Sequence, residues 1–224
     1  MVKNRLVALI LRILFCGLAI SGLIFGANFG TPLGRWFFYT RQSNLLVAAL
    51  FLYLSIRTAV AIKKSGKKGS SCFIPRLQMG ITLMILFTLV IFWAVLAPFA
   101  TKHGYDRLWT YGNLSTHFFT PIVAIVDYIL FNEPGKLKKR DIGFAMLFPL
   151  ASITTAFILG FSGFVFYIDD SGTNYNFPYF FMNYKIMGFL TIVIMLGLSA
   201  IYFTFALLVY RFDVRRARRL KAKL

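Results

Sequence analysis

Six apolar stretches, each long enough to cross a bilayer core of about 30 Å as a helix of roughly 20 residues, constrain this chain more than any other feature. They fall at about 6–28, 36–62, 78–100, 113–132, 143–168 and 186–210. Apolar residues run continuously through each stretch, without the in-out alternation of a membrane strand. A helix also satisfies its own backbone hydrogen bonds in lipid. The expected fold is therefore all-α: a single polytopic membrane domain over 1–224, with a basic tail at 211–224. The first stretch starts with Lys3 and Arg5 like a signal peptide, but it is long and has no clear small-residue cleavage site before Thr31. It reads as a membrane helix.

Composition agrees with this reading. Hydrophobic residues make up 58% of the chain and charged residues 14%, a balance that polar surface could not cover in water. Net charge is +18, and that excess sets the orientation. With alternate loops assigned to alternate sides, 18 basic residues gather on one side against three on the other, Arg35, Lys102 and Arg107. The positive-inside rule makes the rich side cytoplasmic and puts both termini there, which predicts a multi-pass protein of the cell membrane. Lys and Arg clustered after a membrane helix read as a topology signal touching anionic headgroups; no nucleic-acid motif accompanies them. Trp36, Trp109, Tyr111, Tyr179 and Tyr184 read as interfacial anchors. Cys16 and Cys72 lie in an apolar stretch and a basic loop, so neither a shared disulfide nor a thiol metal site is expected. His103 is the one histidine besides His117 and sits in an outer loop, so no metal or other cofactor is implied.

Polar groups inside the spans carry more information, because an unpaired one costs several kcal/mol in hydrocarbon. They form two layers. At a rise of about 1.5 Å per residue, Arg12, Arg57 and Asp127 all lie about 8 to 9 Å from the cytoplasmic ends of the first, second and fourth spans. An ion pair of Asp127 with one or both arginines would hold those spans in register; alternatively the arginines snorkel separately to the headgroups while Asp127 is protonated or meets Tyr128 or Tyr53.

The outer layer joins the second and fourth spans. Tyr39, Thr40, Arg41, Gln42, Ser43 and Asn44 open one; Asn113, Ser115, Thr116, His117 and Thr120 open the other. Thr40 and His117 both lie about 6 Å deep, so they meet if the spans are neighbours. A neutral imidazole can take the proton of a hydroxyl within reach and make it a nucleophile for an ester or amide carbonyl. Thr40 or Ser43 would supply the hydroxyl. Arg41, Gln42, Asn44 or Asn113 would stabilise an oxyanion or a carboxylate headgroup. The outer carboxylates Asp106, Asp169 and Asp170 fall in loops, so the site would be a dyad. The bland alternative is that these side chains only bond helix to helix, contributing about 0.6 to 2 kcal/mol each.

Three blocks carry a resemblance: Tyr39-Thr40-Arg41-Gln42-Ser43-Asn44-Leu45-Leu46, then His117-Phe118-Phe119-Thr120-Pro121 leading to Asp127-Tyr128, then Phe177-Pro178-Tyr179-Phe180-Phe181-Met182-Asn183. In order and spacing the chain resembles, over about residues 5–210, the androgen-induced-gene family of intramembrane threonine hydrolases and its bacterial relatives. The resemblance implies six helices and hydrolysis of fatty esters, with Thr40 as nucleophile and His117 as base. Asn183 stands where many relatives carry an aspartate. Substrate contacts are then expected from Arg41, Ser43, Asn44, Asn113, Thr120, Asn183 and Lys185, in a cavity open to the outer leaflet among spans two and four, with or without span six. The expected partners are membrane lipids and a lipid-like ester. A transporter built of inverted three-helix halves, or a non-catalytic lipid-binding or scaffold protein, are the other classes weighed, and no internal similarity supports the first.

Overall fold

A computed structural model of the chain describes residues 1–26, 31–102, 104, 107–169 and 171–222. His103, Asp106, Asp170, Asn28 at the expected end of the first span, and Lys223 in the tail lie outside the described residues.

Six helices are long and apolar enough to cross a membrane: α1 (Arg5–Phe25), α2 (Tyr39–Ser65), α3 (Pro75–Lys102), α4 (Tyr111–Phe131), α5 (Arg140–Phe161) and α6 (Leu190–Lys221). The chain is a polytopic all-α membrane protein. Local chemistry explains the boundaries. Asn4 caps α1, its side-chain oxygen accepting the N–H groups of Leu6 and Val7 at 3.0 and 3.2 Å. Pro75 starts α3, where its missing N–H costs nothing. Two boundaries differ from expectation. The fifth span stops at Phe161, because Gly163 takes φ +84° and turns the chain into a hairpin of β1 (Tyr167–Ile168) and β2 (Asn174–Tyr175). The sixth starts at Leu190 and runs on through the basic tail. At about 1.5 Å per residue its 32 residues reach about 48 Å, well beyond a hydrocarbon core of about 30 Å.

α3 lies at the centre, in contact with α2, α4, α5 and α6. It is buried without a break from Gln78 to Ile85, as a helix that is hydrophobic all round should be. α1 lies along α2, and its outer end comes very close to α4: a Cβ on Gly112 would overlap the carbonyl of Phe25. Apolar side chains such as Ile24, Ile158 and Leu196 stay exposed on the outer faces, where lipid would cover them.

Both termini sit at one end of the bundle. The Val2 N–H donates to the Leu130 carbonyl, and Arg216 donates to the Ile129 carbonyl at 3.0 Å. Asp213 accepts the Gly135 and Leu137 N–H groups at 2.9 and 3.3 Å, fixing the α4–α5 loop to α6. Arg12 and Asp127 pair near this end. The Arg12 Nε donates to Asp127 at 2.8 Å, both side chains are essentially inaccessible, and the second nitrogen completes a fork at 3.4 Å. The Gln78 amide donates to Asp127 at 2.7 Å, while Arg12 also donates to the Thr58 hydroxyl and the Ser71 carbonyl at 2.9 and 3.0 Å. Four helices and one loop therefore share one cluster in which the Arg12 and Asp127 charges are compensated. Arg57 has no part in it. Its guanidinium faces outward over the rings of Tyr53 and Phe73, so the expectation that it shares Asp127 is corrected.

Candidate functional site

Pro121 organises the outer half of α4. It has no N–H to offer the preceding turn, and that turn widens into a π-bulge at Ser115–Phe119, with the Thr120 N–H bonded to the Ser115 carbonyl. Side chains from other helices take up the carbonyls of this bulge. The Asn44 amide on α2 donates to the Thr116 carbonyl at 3.1 Å, and the Trp93 indole on α3 donates to the His117 carbonyl at 3.1 Å. Trp93 belongs to a second π-bulge, Phe92–Leu96, which faces the first. Phe92 stacks on the His117 ring, with centroids 3.6 Å apart and planes 21° from parallel.

These contacts fix the imidazole. Its Nδ1 lies 3.0 Å from the Asn113 carbonyl and 3.0 Å from the Thr116 hydroxyl. A carbonyl can only accept, so the ring proton resides on Nδ1 and the Nε2 lone pair is left as the basic position. Nε2 makes no hydrogen bond among the described residues. The orienting group that no carboxylate supplies is thus a backbone carbonyl one helical turn earlier.

Thr40 and His117 line one cavity of about 320 Å³, together with Arg35, Arg41, Phe92, Tyr167 and Tyr179. Thr40 is held from behind. Its carbonyl accepts the Ser43 hydroxyl at 2.9 Å and the Asn44 amide at 2.8 Å, so Asn44 ties the backbone of Thr40 to the bulge that carries His117. Among the described residues no hydrogen bond joins the Thr40 hydroxyl to the ring.

The remaining expected residues divide. Arg41 lines the cavity, donates to the Leu23 carbonyl at 3.3 Å and lies over Trp36. Ser43 does not; its hydroxyl meets that of Thr88 on α3 at 2.9 Å, which removes it as an alternative nucleophile in this cavity. Asn44 and Asn113 are fully buried and act behind the lining, and Thr120 is buried without facing the cavity. Asn183 caps the one-turn helix Tyr184–Met187 through the Lys185 N–H at 3.2 Å, and Lys185 is exposed. Neither lines the cavity, and α6 contributes nothing to it, so the expected placement of these residues at the site is corrected.

Sequence reasoning missed the aromatic contributions. Tyr179, expected as an anchor, packs its hydroxyl against Thr40 and lines the cavity; burial raises its pKa, which keeps the phenol a donor. Tyr167 is delivered by the hairpin, its hydroxyl pushed up to about 12 by burial and then by Tyr175 and Asp169. Pro98 and Pro121 were the available signals for the two bulges.

No protein-family model, curated protein or solved structure matches this chain.

Proposed function

We propose that the protein is a hydrolase of a lipid-like ester, with Thr40 as nucleophile and His117 as base. One observation carries this reading. A hydroxyl and an imidazole from separate spans open onto one cavity, and the imidazole is held in the tautomer that leaves Nε2 free to accept a proton. The three sequence blocks that resemble intramembrane threonine hydrolases contain the same two residues.

Nε2 takes the Thr40 proton, directly or through one water, as the threonine oxygen attacks the ester carbon. The Tyr179 hydroxyl and the Arg41 guanidinium, both lining the cavity, serve as donors to the developing oxyanion. Collapse breaks the bond to the alcohol, which leaves with the proton from the imidazolium. Water then adds to the acyl-threonine with His117 again as base, releasing the acid and restoring both side chains. Arg35 and Arg41 bring positive charge to the same cavity, which suits a substrate with an anionic headgroup. The surplus of Lys and Arg at the end holding both termini orients that end to the cytoplasm of a cell membrane, so the cavity faces the outer leaflet.

The test is covalent labelling of the purified protein with an alkyl fluorophosphonate. Thr40 should carry the label. Thr40→Ala and His117→Ala should abolish it, with thermal unfolding close to wild type. Undiminished labelling of Thr40→Ala would refute the assignment.

A further inference from the structure

Beside the cavity of Thr40 and His117 lies a second, apolar chamber between α3, α5 and α6. The two share Thr40, Phe92, Leu96, Pro178 and Tyr179 as a common wall. The chamber measures about 70 Å³. At roughly 10–15 Å³ per water-sized probe that is space for about five waters, or a similar number of methylenes. Its surface is mostly apolar, and the Thr88 and Ser199 hydroxyls that line it bond back to carbonyls of their own helices. Tyr39 and Tyr202 both line it; Tyr202 is 1% exposed, and the two buried hydroxyls adjoin each other as a hydrogen-bonding pair with no other partner among the described residues. The Phe87 ring meets both edge-on, 6.0 Å from Tyr39 and 5.3 Å from Tyr202 between centroids. When one phenol donates to the other, the second proton is left facing the chamber without an acceptor, at a cost of about 1–3 kcal/mol.

We infer that this chamber receives the first part of the substrate's acyl chain, and that the Tyr39–Tyr202 pair donates its spare proton to an oxygen borne by that chain. The inference rests on the hydrolase reading and narrows its substrate to esters of oxygen-bearing acids. Tyr39 directly precedes Thr40, with neighbouring Cα atoms about 3.8 Å apart, so its hydroxyl lies on the order of 10 Å from the acylated residue. That distance and the chamber's capacity agree on an oxygen about five or six carbons from the ester carbonyl. A keto, ether or hydroxyl oxygen at that position accepts the spare phenol proton; an all-carbon chain leaves it unsatisfied.

Binding tests this without chemistry. Decanoate and 6-oxodecanoate are compared as competitors of a fluorescent fatty acid on the purified protein, for wild type, Thr40→Ala, Tyr202→Phe and Tyr39→Phe/Tyr202→Phe. The affinity ratio, keto acid over plain acid, should fall about fivefold or more in the double variant, consistent with loss of a hydrogen bond of typical net strength. Thr40→Ala should keep the wild-type ratio. Ala156→Trp, which fills the chamber, should weaken both competitors. A ratio unchanged by the double variant, or undiminished binding in Ala156→Trp, would overturn the assignment. Fluorophosphonate labelling of Thr40 reports separately on the hydrolase reading, so the two can fail independently.

Discussion

The side-chain amide of Asn44 spans two carbonyls, Thr40 on its own helix at 2.8 Å and Thr116 on α4 at 3.1 Å. The second carbonyl is available because the π-bulge before Pro121 redirects the Thr120 N–H to Ser115. Asn44 thereby sets the spacing between the two candidate reacting groups. Asn44→Ala should lower stability by about 1–3 kcal/mol, seen as a lower midpoint in thermal unfolding, and slow phosphonate labelling at Thr40. Labelling at the wild-type rate would show that the amide holds the helices without positioning the site.

The Tyr179 hydroxyl lies against Thr40 and is kept protonated by burial. If it donates to the oxyanion, Tyr179→Phe should cut the turnover of an activated ester on the order of 10²-fold, as removal of one oxyanion donor does elsewhere, with little change in KM. A rise in KM at constant kcat would assign it to substrate binding instead.

At the other end, Arg12 and Asp127 are buried with every contact satisfied. Replacing one partner leaves the other charge uncompensated, so Arg12→Met or Asp127→Asn should each cost about 3–5 kcal/mol. The double variant Arg12→Met/Asp127→Leu should be less damaged than the sum of its parts, a coupling that a double-mutant cycle in thermal or denaturant unfolding measures directly.

Acid should loosen the hairpin that brings Tyr167 to the cavity. Asp169 holds the turn: its carboxylate accepts the Ser171 and Thr173 N–H groups at 3.0 and 2.9 Å and the Ser171 and Tyr175 hydroxyls at 2.6 and 3.1 Å. These bonds, that of the Ser171 hydroxyl foremost, lower its pKa below the ordinary value of 3.8. A depressed folded pKa means that the stabilisation is complete above the unfolded value and is lost as pH falls through the folded one. Amide exchange at Phe166, whose N–H bonds to the Tyr175 carbonyl, should therefore accelerate below about pH 4. In Asp169→Asn it should be faster at neutral pH and lose that acid step.

Much of the fold was legible because hydropathy and charge report directly on membrane crossing. Depth was legible too: a fixed rise per residue put Arg12 level with Asp127 and Thr40 level with His117. Azimuth was not. Arg57 shares the depth of Arg12 yet points outward, and Ser43 lies one turn below Thr40 yet turns to Thr88 on α3. Which face of a span meets which neighbour depends on helix packing, and spacing along one helix does not encode it. Residues outside the spans were harder still. Tyr167 and Tyr179 reach the cavity through a hairpin and an irregular segment that hydropathy treats alike as loop. The π-bulges left only Pro98 and Pro121 as a trace, and a proline marks a distorted turn without saying which kind.

The unbroken course of α6 has a mechanical corollary. Tyr202 and Arg218 are joined by about 24 Å of rigid rod, with no hinge between the membrane interior and the basic segment. Whatever grips the far end of that rod takes hold of a lever, and its short arm is the wall of the apolar chamber.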